Sequence, residues 1–245
     1  MQRYRFPLRS LAAAAAAATP ALVAALLAGA AGPDRAHAGS QMPPPHRFVR
    51  HVTNPWFPLR PRSVWVYRGV KDGVGQRDVV RVRARTRTIL GITATVVSDV
   101  ASHHGRVLER TEDWYAQDRD GNVWYLGENT AAFEGGGVDR SGSWQAGRHG
   151  ARAGIVMTAQ PRIGDTHRQE YWPGHAEDQY WLVDLGQHAS VPFGSFSHAA
   201  LTLEWSRLEP GVIDRKLYVR GIGVVSELAA QGPPERAELV RFHAG

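Results

Sequence analysis

The chain has 245 residues, 29 basic against 23 acidic side chains, a formal net charge of +6 and no cysteine. The missing thiols exclude disulfides, thiolate metal sites, a cysteine nucleophile and a lipid anchor carried on cysteine. There is also no G-x-S-x-G, H-E-x-x-H, P-loop or dinucleotide fingerprint, so an enzyme here would need a constellation that no motif announces.

Residues 1–38 read as a secretory signal peptide. Arg3, Arg5 and Arg9 precede an alanine- and leucine-rich run from Leu11 to Gly32, and Ala36-His37-Ala38 follows as a small-x-small cleavage site. The run is long enough to span a bilayer, but Pro20 interrupts it and much of it is alanine, so cleavage is expected and no stable membrane span after it. The arginines are not adjacent, which argues against a twin-arginine signal. Cleavage leaves 207 residues with 25 basic and 22 acidic side chains, an ordinary size for one all-β domain. Nearly all basic residues are arginine; Lys71 and Lys216 are the two lysines. No block of like charge suggests nucleic-acid binding.

Residues 39–53 read as an extended, proline-rich arm, and 54–245 as a single β-rich domain opening at Asn54-Pro55-Trp56-Phe57-Pro58. Ser63–Val70, Asp78–Thr88 and Ile92–Val100 carry strand signals. Arg106–Asp118 and Val123–Glu128 flank Arg119-Asp120-Gly121-Asn122, a hairpin turn whose glycine and asparagine suit positive φ. Its alternating oxygens echo a calcium loop, but the glycine falls two positions early for an EF-hand. Residues 134–154 read as a long glycine- and serine-rich loop. Thr166–Trp172, Asp178–Gln187, Ala200–Leu208, Arg215–Val219, Val224–Ala229 and Ala237–Phe242 complete the set. No helical period of apolar residues appears beyond the leader. The expected fold is all-β: about ten antiparallel strands in an open or half barrel, with a β-sandwich as the alternative.

Four aromatic neighbours recur: Trp114-Tyr115, Trp124-Tyr125, Tyr171-Trp172 and Tyr180-Trp181, with Trp65 and Tyr67 as a further cluster. Adjacent strand residues point to opposite faces, so each pair sends one ring to each side of the sheet. One ring can be core; the other must be covered by loops, sit at a rim, or offer a stacking surface. Arg81, Arg83, Arg85 and Arg87 form one row, for which Glu109, Thr111 and Asp113 are the expected cross-strand partners. The rival is a binder of anionic groups.

Carboxylates at Asp113, Glu128, Glu170, Glu177 and Asp178 are the candidates for acid–base work in a polysaccharide or ester hydrolase or lyase. His167 and Glu170, three apart on a strand, point to opposite faces and fit no metal motif. No metal and no cofactor is expected.

The stretches NPWFPLRPRSVWVYRG, RTILGITATVV, DWYAQDRDGNVWYLGEN, GSWQAG, GIVMTAQPRIGDTHRQEYWPGHAED and LYVRGIGVVSE resemble a family of uncharacterised secreted bacterial β-rich proteins, across nearly all of the chain after the leader. Residues 219–225 also resemble, over a short stretch, the terminal strand turn of open half-barrel envelope carriers of lipid or lipoprotein. That likeness implies a cupped antiparallel sheet.

The expected function is that of an exported, non-enzymatic binding or envelope protein, secreted or periplasmic. Its barrel mouth would hold an apolar or amphipathic ligand, lipid-like or saccharide, against Trp65, Tyr67, Trp114, Trp124, Tyr171 and Trp181. Arg83 and Arg85 would meet an anionic head. The alternatives are a structural surface protein without a small ligand, and the carboxylate-dependent hydrolase or lyase.

Overall fold

The computed structural model describes residues 41–71 and 73–245; the leader and its cleavage site lie outside them. Strands account for most of the described chain: β1 (Phe48–Val49), β2 (Val64–Lys71), β3 (Val74–Ile89), β4 (Ile92–His103), β5 (Arg106–Asp118), β6 (Val123–Glu134), β7 (Gly137–Asp139), β8 (Trp144–Gln145), β9 (Arg152–Met157), β10 (Thr166–Arg168), β11 (Glu170–Tyr171), β12 (Asp178–Val191), β13 (Gly194–Ser206), β14 (Ile213–Val219), β15 (Gly223–Gln231) and β16 (Glu235–His243). They form one antiparallel sheet, ordered β10-β12-β13-β14-β15-β16-β2-β3-β4-β5-β6-β9-β11, that curls into a nearly closed barrel. The all-β class is as expected. The strand number is higher because β1, β7 and β8 are too short to leave a periodic signal, β9 was not expected, and the expected strand at 166–172 divides at Gln169 into β10 and β11. Among the described residues no helix is long and apolar enough to cross a membrane.

Tight hairpins build the long half of the barrel. Leu90 (φ 51°) and Gly91 (φ 78°) join β3 to β4, and His104 (φ 47°) and Gly105 (φ 81°) join β4 to β5. Two positive φ values in succession match the right-handed strand twist, which is why two residues suffice at each corner. The Asp118–Asn122 turn is the expected hairpin. Asp118 is its organiser: Oδ1 accepts the Asn122 N–H at 2.9 Å, and Oδ2 accepts the Trp124 indole N–H at 2.8 Å.

The barrel closes through one short segment. Residues 166–168 pair with β12, and residues 170–171 pair with β9 at the other edge of the sheet. Between them the Gln169 N–H donates to the Asp178 carbonyl at 2.8 Å. Here β9 runs so close that a Cβ on Gly154 would fall on the Arg168 carbonyl and the Gln169 backbone. Only glycine fits that seam.

Two expectations are corrected. Residues 134–154 hold β7, β8 and the start of β9 rather than one long loop; their strands are too short to pattern. The partners expected opposite the arginine row face the other way: Glu109, Thr111 and Asp113 are buried on the inner face of β5, and the outward Glu112 pairs with Arg85 instead. A parity slip of one residue moves a side chain to the opposite face of a sheet. Part of the 39–53 arm packs on the sheet. Phe48 and Val49 pair with Asp118 and Gln117, and the Phe48 ring meets Trp124 edge-on at 6.5 Å.

Candidate functional site

The inner surface of the barrel has two halves. At the end closed by residues 52–59 it is apolar. Val52, Phe57, Leu59 and Trp65 are buried there with Tyr115, Tyr125 and Leu239. Phe57 meets Tyr115 edge-on at 5.2 Å, and Tyr115 stacks on Tyr125 at 4.8 Å. Asn54 ties this plug down. Its side-chain amide donates to the carbonyls of Gly121 (3.0 Å) and Thr158 (2.9 Å), and its Oδ1 accepts the Trp56 N–H at 2.8 Å. The Gly221 N–H donates to the Pro55 carbonyl at 2.7 Å. Beneath the plug lies a half-open apolar cavity of about 30 Å³ walled by Phe57, Leu59, Trp65, Tyr67, Val80 and Val224. That volume holds one or two waters. The polar ends of Trp65 and Tyr67 are tied to the carbonyls of Ile222 (2.8 Å) and Val224 (2.9 Å), so both rings add apolar surface to its wall.

The other half of the interior is acidic. Asp78, Asp99, Glu109, Asp113, Glu128, Asp178, Glu204, Asp214 and Glu227 are each at most 5% exposed, and both lysines of the chain join them. The register puts them on one face. Thr111 faces Asp99 on one side and Thr130 on the other, Asp113 faces Glu128, Lys216 faces Glu227 and Thr202, and Glu204 faces Asp214 and Tyr180. Residues opposite one another in a ladder share a face.

One part of this belt is well paired. Lys216 Nζ lies 2.8 Å from Glu204 and 3.7 Å from Glu227. Glu204 also accepts from Thr202 (2.9 Å), Tyr218 (2.9 Å) and Gln169 (3.2 Å). Burial alone would push the Lys216 ammonium down, but Glu204, Glu227 and Asp214 outweigh that and hold it charged. A lysine suits the place because its compact ammonium donates in three directions, whereas the planar arginine fork does not. Asp214 is raised to about 6 by burial, countered by Lys216 and reinforced by Glu204 and Asp178. Burial also pushes Glu227 well above the usual carboxylate range despite Lys216.

A second part is poorly paired. Asp78 is met by the Asp99 carboxyl and the Val79 N–H, but neither of its oxygens, nor Asp99 Oδ1, receives a well-formed hydrogen bond. The two carboxyls are close enough to share a proton. Burial raises both; the Asp99 partner lowers Asp78, while Asp78, Asp113 and Glu109 drive Asp99 further up. Gln76, two residues before Asp78 on the same face of β3, is 6% exposed, and neither atom of its amide has a partner. Such groups are costly to bury unsatisfied.

The carboxylates singled out in the sequence are partly assembled. Asp113 and Glu128 converge on Tyr125, whose hydroxyl donates to Asp113 at 2.6 Å and lies 3.4 Å from Glu128. Glu177 caps the turn at Gly174 (2.9 Å), His175 stacks on Trp172 (3.9 Å) and His167 on Tyr180 (4.2 Å). Glu170 and Asp178 are buried elsewhere along the seam.

The aromatic and arginine candidates do not form one group. Trp65 and Tyr67 sit together at the apolar cavity. Trp114 and Trp124 are buried on the outer face, under the Arg87 guanidinium (4.0 Å) and Phe48 respectively. Tyr171 is half-buried between Arg152 and Arg168. Trp181 is 39% exposed. Arg83 and Arg85 are exposed on the outer face. Sequence reasoning named Asp113, Glu128 and Asp178 of the acidic belt but missed the belt as a whole. Its one signal was the scarcity of lysine: in a chain that uses arginine almost everywhere, both lysines are interior.

No family model matches the chain, and no curated sequence matches it. Two solved structures resemble it in shape. One is a protein from Bacteroides fragilis, taken to be exported, with a YmcC-like fold: TM-score 0.45, 14% identity, 77% of this chain and 98% of that one covered. The other is a protein from Parabacteroides distasonis taken to be a lipoprotein: TM-score 0.43, 12% identity, with the same coverage. At that level of similarity neither bears on the chemistry of this chain.

Proposed function

We propose that the protein is an exported, non-enzymatic binding protein of the cell envelope that holds an apolar or amphipathic ligand at the plugged end of its barrel. The leader supports export. The observation that carries the binding reading is the half-open apolar cavity under residues 54–59, walled in part by Trp65 and Tyr67. Its present volume is far below that of an acyl chain, so the plug must yield. Phe57 is its movable wall, because it lies in the turn at residues 55–57, whereas Leu59 is bridged to Val52.

The test is native mass spectrometry with lipid extraction on protein purified from an exporting host, for wild type and Phe57→Ala. A co-purified mass that extracts into organic solvent is expected, with higher occupancy in Phe57→Ala, since an emptied apolar site takes apolar guests. The same substitution costs about 3–5 kcal/mol of stability without ligand. Clean apo masses for both proteins would remove the reading and leave the structural surface protein in its place.

A further inference from the structure

We infer that the head group of this ligand is cationic, an amine-bearing amphiphile whose ammonium group sits at Asp78, Asp99 and Gln76. The inference rests on the binding reading above and names the chemistry of the ligand. Three observations carry it.

First, the apolar cavity and the acidic belt are contiguous. Val80 and Tyr67 wall the cavity; Asp78 is the next inward residue of β3 after Val80, and it faces Tyr67 directly across the β2–β3 ladder. A chain lying on Tyr67 therefore ends at Asp78. Second, the groups at that junction are short of well-formed hydrogen bonds. Both Asp78 oxygens and Asp99 Oδ1 are without well-formed hydrogen bonds, and Gln76 is buried with its whole amide unpartnered. An ammonium brings three N–H donors, and the Gln76 carbonyl can accept one of them. Third, the arginine row is outside, and the two interior lysines are engaged with Glu204, Glu227 and Asp214. Arg83 and Arg85 stand exposed on the outer face, where Arg85 is already paired with Glu112, while the interior beside the cavity carries carboxylates. An anionic head would be repelled at the junction; a cationic one replaces the proton the two aspartates share, and that proton leaves to solvent.

The experiment compares decylammonium, decanoate and the neutral octyl glucoside below their micelle concentrations, by calorimetry and tryptophan fluorescence, on protein purified from an exporting host. Decylammonium is expected to bind at least ten-fold tighter than decanoate. Non-specific attraction works against this result, because the chain after the leader is net positive. Asp78→Asn, and separately Asp99→Asn, should abolish most of the preference for decylammonium over decanoate. Decanoate binding as tightly as decylammonium would overturn the cationic head and leave the binding reading standing. A preference that survives in both variants would overturn this location. Failure of all three amphiphiles to bind would overturn the binding reading itself, and the inference with it. The wild-type comparison stands even if a variant does not fold.

Discussion

Val80 and Asp78 are two residues apart on the same face of β3. Val80 walls an apolar cavity, while Asp78 belongs to a belt of buried acids. The same strands thus build two interiors that obey different rules. At the plugged end, stability comes from area removed from water and scales with how well rings fill space. At the acidic end, stability is conditional: each buried carboxylate must be paired, protonated or met by a ligand, and the balance shifts with solution conditions. A binding protein gains from this division, since the first half can give shape and the second can give selectivity.

The sharpest way to break the comparison is at Lys216. Lys216→Met should cost about 3–5 kcal/mol at pH 7, because it leaves Glu204 and Glu227 buried without their cation. Urea unfolding checks this. Leu59→Ala, at the other end, costs a similar amount as a cavity mutant, about 2–5 kcal/mol. The two should part on acidification: the Lys216→Met deficit shrinks as Glu227, raised by burial, takes up its proton, while the Leu59→Ala deficit does not move. Equal pH profiles would mean that the belt is not the conditional half.

The next effect is that of pH on the unaltered protein. Asp78, Asp99, Asp214 and Glu227 are all raised, chiefly by burial. The folded state therefore holds protons that the unfolded chain has released. This stabilisation is complete below about pH 4, the unfolded value, and is lost as pH rises through the folded values, near 6 for Asp214. A shift of that size is worth about 3 kcal/mol for one group. The melting temperature should rise from pH 8 to pH 5.5, and a flat or opposite trend would contradict the buried acids.

The smallest effect belongs to the outer face. Arg85→Ala removes an exposed pair with Glu112 and should change stability by less than about 1 kcal/mol, vanishing in high salt. It is the control that separates a charge on the barrel from a charge inside it.

Much of the scaffold was legible from alternation and turn residues. Asp118 to Asn122 read as a hairpin because its chemistry is local. The short strands β1, β7 and β8 did not, since their pairing is decided by partners elsewhere in the chain; residues 166–172 read as strand, but not that they would break at Gln169 and pair with β12 on one side and β9 on the other. The site was less legible, for a different reason. Period two tells which residues share a face, but not which face is inside. Glu109, Thr111 and Asp113 read as a solvated row facing arginines, and they are interior. The aromatic neighbours similarly gave two faces each. They gave no sign that the outer ring of Trp124 would be covered by Phe48, from an arm with no strand signal of its own.

One feature of the sheet also sets when the barrel can form. Strand β16 lies between β15 and β2, so Leu239 is the neighbour of Tyr67. The first long strand has its outer partner at the far end of the domain, and hairpins β2 to β6 can assemble only as an open sheet until residues 235–243 have been made. Closure is therefore a late event dominated by distant pairings, the class of topology that folds slowly. A chain of this design stays threadable throughout its synthesis.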